Sequence, residues 1–209
     1  MASDRLFPNE GTRALTEDEV WQEFHDSGAL LKGHFILSSG LHSDTYLQCA
    51  RVMMDTARGG RLCAALAEKL KSAGVRDIAM VIAPAMGAIL PGYEMGRQLG
   101  LPTVFFERVD GRFTLRRGFE IEPGTKCLLV EDVVTTGISS RECIAAVEAL
   151  GGTVTAACSL VNRSGGRTAL GIPLVSLLTL DVPAYAADQL PEALKAIPAI
   201  KPGSRGLKN

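Results

Sequence analysis

A chain of 209 residues with 46% hydrophobic and 22% charged side chains can bury a substantial core in one compact domain, and this balance excludes an intrinsically disordered chain. Its formal net charge of −1 gives no overall field for a polyanion, so neither nucleic-acid nor membrane binding is expected, the one modest basic patch being residues 108–117. Residues 1–11 lack a basic stretch followed by an apolar one, and no window approaches the ~18 apolar residues of a membrane span. The lack of both leads us to expect a cytoplasmic protein, and the five cysteines, scattered and odd in number, indicate neither a disulfide framework nor a metal-binding pair.

In chain order, Thr16 and Glu19 read as a capping box, with Leu15 and Val20 as its hydrophobic staple. A helix is expected from there to about Asp26, stopped near Gly28. Residues 32–43 are polar at both ends with an apolar centre, and 45–50 read as a strand; residues 1–50 form an appendage to the main domain. Residues 56–73 carry Leu62, Leu66 and Leu70 at helical spacing, with Gly74 as a stop. A strand at 78–83, a helix at 87–99 ended by Gly100 and a strand at 103–106 make a β-α-β unit.

Residues 107–126 are rich in charge and glycine, with weak alternation around Phe113, Leu115 and Phe119, and read as a long hairpin or mobile loop. A buried strand at 127–130, a helix at 139–150 stopped by Gly151 and Gly152, and strands at 153–161 and 174–180 complete the core, residues 51–197. Strands written as unbroken apolar runs and alternating with helices imply an α/β fold, a parallel sheet flanked by helices on both faces. The tail, residues 198–209, has little to bury and is expected to fray.

The most informative stretch is Leu128–Ser140, LLVEDVVTTGISS. An apolar strand runs into Glu131 and Asp132, then Val133 and Val134, then Thr135, Thr136, Gly137, Ile138 and Ser139 at the start of a helix. A helix N-terminus with small hydroxyl residues offers amide donors and a favourable dipole to a phosphate. Acids beside such a cradle suit a ligand that presents hydroxyls to them, as the 2′,3′-diol of a ribose 5-phosphate does. The plainer reading is a solvated acidic pair and an ordinary N-cap; the full string is more restrictive than either. Nucleoside triphosphate and dinucleotide fingerprints are absent from the sequence.

At these residues the sequence resembles the phosphoribosyl pyrophosphate (PRPP) motif of the type I phosphoribosyltransferases, and over most of its length the members that act on orotate. Residues 31–40 and 43–46 resemble that family's small N-terminal hood over the base, residues 83–87 its pyrophosphate loop, and residues 105–118 its long flexible flap. The resemblance implies transfer of 5-phosphoribosyl from PRPP to orotate, in pyrimidine synthesis. Glu131 and Asp132 would bind the ribose hydroxyls, Thr135 to Ser139 the 5-phosphate, with Thr135 also touching orotate. Arg163, in Ser159–Arg163, would hold the orotate carboxylate, Lys32 would lie near the pyrophosphate and base, and Arg108, Arg112 and Asp132 would be catalytic.

Mg²⁺ is implied as the cofactor, held mainly through PRPP rather than by dedicated protein ligands. A homodimer with the flap exchanged across the interface is implied as well. Where many members carry a lysine in the pyrophosphate loop, this chain has Gly87 or its neighbours; where many carry a flap lysine, it has Val109. The alternatives left open are a purine phosphoribosyltransferase and a non-catalytic PRPP-sensing regulator.

Overall fold

The computed structural model describes residues 15–37 and 39–202. The reading of residues 1–11, and of the tail beyond residue 202, falls outside them. Helix α1 (Glu17–Asp26) starts at the capping box read from the sequence: the Glu19 amide donates to the Thr16 hydroxyl and the Glu19 carboxylate accepts from the Thr16 amide. Three acids in its first turn complement the helix dipole. Val20 and Phe24 are buried, and Leu15 packs against the same core.

Strands β1 (Leu30–Ile36) and β2 (His42–Leu47) form a separate antiparallel pair. The strand expected at 45–50 is displaced. In His42–Leu47 the residues Ser43, Thr45 and Leu47 alternate into the interior, which is strand periodicity. Cys49–Met53 is instead a short helix, α2, because an apolar run of this length cannot be told from a strand by pattern. Helix α3 (Thr56–Ser72) comes next, with the Asp55 carboxylate accepting from the Ala57 and Arg58 amides at its N-terminus.

Strand β3 (Met80–Pro84), helix α4 (Ile89–Leu99) and strand β4 (Thr103–Val109) make the expected β-α-β unit. Helix α4 ends at Gly100, whose φ of 66° is the left-handed cap that glycine takes without strain. Strand β5 (Arg112–Leu115) then turns back antiparallel on β4. Asp110 and Gly111, both at positive φ, form the tight two-residue turn typical of hairpins. Residues 107–115 are therefore a hairpin, and the weak alternation has a cause: Phe113, Leu115 and Phe119 pack against a core cluster.

Strand β6 (Lys126–Val134), helix α5 (Ile138–Ala149), strand β7 (Thr153–Asn162), strand β8 (Leu174–Thr179) and the short helix α6 (Glu192–Lys195) complete the described elements. The main sheet has the order β5-β4-β3-β6-β7-β8, parallel except for β5. On one face Val81, Leu128, Val130 and Cys158 join a core with α1 to α4. On the other, Ile82, Cys127, Leu129 and Ala157 join Cys143, Ile144 and Val147 of α5. This is the three-layer arrangement expected of buried parallel strands.

Two details differ from expectation. Strand β6 runs four residues past Val130, so Glu131 and Asp132 lie inside the ladder, Glu131 opposite Ser159 of β7. In the tail, Ile200 pairs in parallel with Phe35: the Ile36 amide donates to the Ile200 carbonyl and the Ile200 amide to the His34 carbonyl, each at 2.8 Å. The fraying expected from Pro198 thus does not describe this part of the tail, whose backbone groups are satisfied by β1.

Candidate functional site

The chain leaves β3 for β4 on one side and returns to β6 on the other, so the carboxyl ends of β3 and β6 flank the place where strand order reverses. In open parallel sheets ligands collect in that crevice. A cleft of about 590 Å³ opens there, lined by Glu131, Val133 to Ser140, Arg108, Glu142, Leu37, Ser39 and Lys201. Its size suits a small-molecule site.

The phosphate loop expected at Thr135–Ser139 forms one wall. Gly137 stands at the N-terminus of α5 with φ 72°, and no side chain caps that end. The hydroxyls of Thr135 and Thr136 have no hydrogen-bond partner among the described residues. The plain N-cap reading of these residues therefore fails: first-turn amides and hydroxyls remain available to an anion. The loop is braced from outside. The Thr168 hydroxyl donates to the Thr135 carbonyl at 2.5 Å, and Arg141 donates to the carbonyls of Thr136 and Ala169 at 3.0 and 3.1 Å. A Cβ on Gly137 would come within 2.7 Å of Leu170 and Thr168.

Glu131 is 5% exposed, and the Ser140 hydroxyl donates to it at 2.7 Å. Burial pushes its carboxyl up to about 8, the neighbouring Asp132 adds to the rise, and Ser140 and Arg108 oppose it. Asp132 is also raised by burial, with the Val133 and Asp132 amides opposing. The Asp132 carboxylate lies against Gly87, where a Cβ would collide with it, so residues 83–87 at the end of β3 and the acids of β6 meet at one point. Two carboxyls short of solvent and of cationic partners suit hydroxyl donors or a cation brought in with a ligand.

Arg163 follows β7, and its amide donates to the Val134 carbonyl at 2.8 Å. Its side chain turns toward the β1–β2 pair: Nη2 donates to the Ser43 hydroxyl and the Thr45 carbonyl, both at 3.1 Å. The residue is 4% exposed, its Nε has no partner, and it makes no ion pair among the described residues. Burial draws its pKa down, but a guanidinium stays charged. A buried cation without a counter-charge is costly until an anion arrives.

Arg108, on β4, donates to Glu142 of α5 at 2.5 Å and to the Gly111 carbonyl at 2.8 Å, and stacks over Phe113 at 4.1 Å. It lines the cleft. Arg112 does not: it sits across the hairpin turn from Val109, exposed, and its side chain has no partner among the described residues. Lys32 is also apart from the phosphate loop. Its Nζ donates to the Thr45 hydroxyl at 2.7 Å, lies 3.8 Å from Asp44, and lines a separate cavity of about 300 Å³ with Tyr185 and Ile197.

Sequence reasoning missed Ser140, Arg141, Glu142 and Thr168. The first three follow the loop directly on the first turns of α5, Ser140 bonding Glu131, Arg141 the Thr136 carbonyl and Glu142 Arg108; as consecutive helical residues they point in different directions and carry no periodic signal. Thr168 carries no local signal; it reaches the loop only through folding. Among the described residues no group of three or more His, Cys, Asp or Glu side chains is placed to hold a metal ion.

Comparison with known proteins shows what this arrangement is similar to. The family described as phosphoribosyl transferase domain matches residues 54–181. The orotate phosphoribosyltransferase of Rhizorhabdus wittichii is 57% identical over 91% of this chain and 97% of its own length. That of Maricaulis maris is 56% identical over 92% of this chain and 100% of its own length. Among solved structures, orotate phosphoribosyltransferase from Aeropyrum pernix superposes with a TM-score of 0.63 at 26% identity, covering 77% of this chain and 93% of its own.

Proposed function

The chain belongs to the orotate phosphoribosyltransferase family, and on that premise we propose that it transfers the 5-phosphoribosyl group of PRPP to orotate. The products are orotidine 5′-phosphate and pyrophosphate, a step of pyrimidine nucleotide synthesis. The observation that carries the choice of base is the buried, unpaired Arg163, because orotate brings a carboxylate and a purine base does not. A planar guanidinium meets a carboxylate through paired, charge-assisted hydrogen bonds.

In this reading the 5-phosphate rests on the amides and hydroxyls of Thr135 to Ser139, and Thr135 also faces the base. The ribose diol donates to Glu131 and Asp132. The orotate ring nitrogen bonds to the anomeric carbon as its proton is released, while pyrophosphate departs with the electron pair of the broken C–O bond. Positive charge grows on the sugar beside the Glu131 and Asp132 carboxyls, whose ionised form the ligand's hydroxyl donors and cation would favour, and Arg108 faces the departing anion. Such a step needs alignment and preorganised charge rather than a covalent protein nucleophile. Arg112 joins only if the hairpin moves, and Lys32 only from the β1–β2 side.

Mg²⁺ is part of the proposal. The adjacent carboxyls of Glu131 and Asp132 fit a hard, oxygen-preferring cation that keeps most of its ligands from PRPP and water. When bound, it would neutralise charge on the pyrophosphate. We also propose a cytoplasmic homodimer. All five cysteines are free and buried, which suits a reducing compartment. Met86, Leu90 and Tyr93 are 78%, 52% and 67% exposed on the α4 side, an apolar face that suits burial against a second copy. Exchange of the hairpin between copies is part of the same proposal, its turn at Asp110 and Gly111 being exposed. Sedimentation of Tyr93→Asp against the unaltered protein tests the dimer: the substitution should yield monomer, and an unchanged mass would refute this face.

The activity is tested by following loss of orotate absorbance with PRPP and Mg²⁺, with adenine, hypoxanthine and uracil in parallel. Orotate alone should be consumed. Arg163→Ala should raise the KM for orotate on the order of 10–100-fold, as loss of a charge-assisted pair implies. Consumption of a purine instead, or an Arg163→Ala enzyme with unchanged orotate KM, would overturn the reading.

A further inference from the structure

We propose that Lys201, on the C-terminal tail, is a further substrate-binding residue that supplies positive charge to the phosphate groups of PRPP. The proposal rests on the phosphoribosyl-transfer reading and deepens it.

The tail reaches the cleft by specific bonding. Ile200 lies parallel to Phe35 of β1, with two backbone hydrogen bonds of 2.8 Å to Ile36 and His34. Three residues earlier, the Ile197 carbonyl accepts at 2.8 Å from Nδ1 of His34. A carbonyl can only accept, so that nitrogen carries the proton. His34 is 4% exposed, so this anchor is made inside the protein rather than on its surface. A parallel neighbour of Phe35 at residue 200 brings Lys201 alongside the end of β1. There Leu37, Ser39 and Lys201 line one side of the cleft, together with the phosphate loop, Glu131 and Arg108.

Charge makes the position informative. The acids lining the cleft are Glu131 and Glu142, and the cations are Arg108 and Lys201. Arg108 is already bonded to Glu142. Lys201 makes no ion pair among the described residues, so it is the cleft's uncommitted cation. PRPP carries a monophosphate and a pyrophosphate, and neither residues 83–87 nor the turn of the hairpin contains a lysine. A compact ammonium on a flexible stem can follow a phosphate without fixed geometry. The tail is thus a strap that completes the electrostatics of the site from a distant part of the sequence.

The test is titration calorimetry of PRPP with the full chain, alongside Lys201→Ala, Lys201→Arg and the control Lys195→Ala, whose side chain is paired with Glu192 outside the cleft. Orotate turnover is measured on the same proteins. We expect Lys201→Ala to weaken PRPP binding and raise its KM about 5- to 20-fold, with thermal stability and orotate KM unchanged. Lys201→Arg should stay within about twofold, and Lys195→Ala should match the unaltered chain. Equal PRPP affinity in Lys201→Ala, or equal losses in the Lys195 control, would overturn the proposal. If the unaltered chain binds PRPP and Lys201→Ala loses it, yet orotate is not consumed, the strap stands and the choice of base fails.

Discussion

Glu131, 5% exposed and hydrogen-bonded to Ser140, has a carboxyl pushed up to about 8 against an ordinary value of 4.5. Raised in the folded state, it contributes stability that is complete below about pH 4.5 and is lost as pH rises through about 8. The unliganded protein should therefore become easier to unfold between pH 5 and 8. Glu131→Gln keeps the shape and a hydrogen bond to Ser140 without the charge. In urea melts across that range it should flatten the slope and gain about 2–5 kcal/mol at pH 8.5, while binding PRPP more weakly. A slope equal to that of the unaltered protein would show that Glu131 is not held protonated. At this scale the sequence was legible where the cleft wall is one contiguous run, Glu131 and Thr135 to Ser139. Arg163 is separated from Ser43 and Thr45 by more than a hundred positions, so no local pattern could reveal its burial; only the family resemblance singled it out. Arg112 and Lys32, carried over in the same way, are the two that folding leaves away from the phosphate loop.

At the scale of elements, the turn from β6 into α5 depends on Gly137. Its φ of 72° and the 2.7 Å clearance to Leu170 and Thr168 leave no room for a side chain. Gly137→Ala should destabilise the protein by about 1–3 kcal/mol, since both the backbone and the packing object, and PRPP binding should fall with it. Unfolding at an unchanged midpoint would mean that residues 164–172 do not brace the loop as described. Caps and periodicity made α1, α3 and α4 readable in advance, because Thr16, the leucines at 62, 66 and 70 with the stop at Gly74, and Gly100 act locally. The swap of strand for helix at Cys49–Met53 and the extension of β6 through Asp132 were not readable. The first is a short apolar run, and the second depends on pairing with β7. Nor did the tail announce Ile200, whose partner is backbone and needs no particular side chain.

For the whole molecule, alternating helices and apolar strands sufficed to expect a covered parallel sheet, but not the order β5-β4-β3-β6-β7-β8. That order creates the crevice by sending the chain to opposite sides of β3. It also brings Glu131 and Asp132 of β6, Gly87 after β3, Arg108 near the end of β4 and Arg163 after β7 to the same carboxyl edge of the sheet. The division of labour within the crevice is the central claim: a diol at the acids, a phosphate at the helix N-terminus, an organic carboxylate at the buried guanidinium. A crystal structure with PRPP and orotate bound at a non-reacting pH, or with orotidine 5′-phosphate, tests it in one measurement. The 5-phosphate should lie within hydrogen-bond distance of the Thr136 and Gly137 amides, the ribose hydroxyls on Glu131 and Asp132, and the orotate carboxylate on Arg163. A phosphate bound away from that turn, or a base whose carboxylate leaves Arg163 unpaired, would contradict the account.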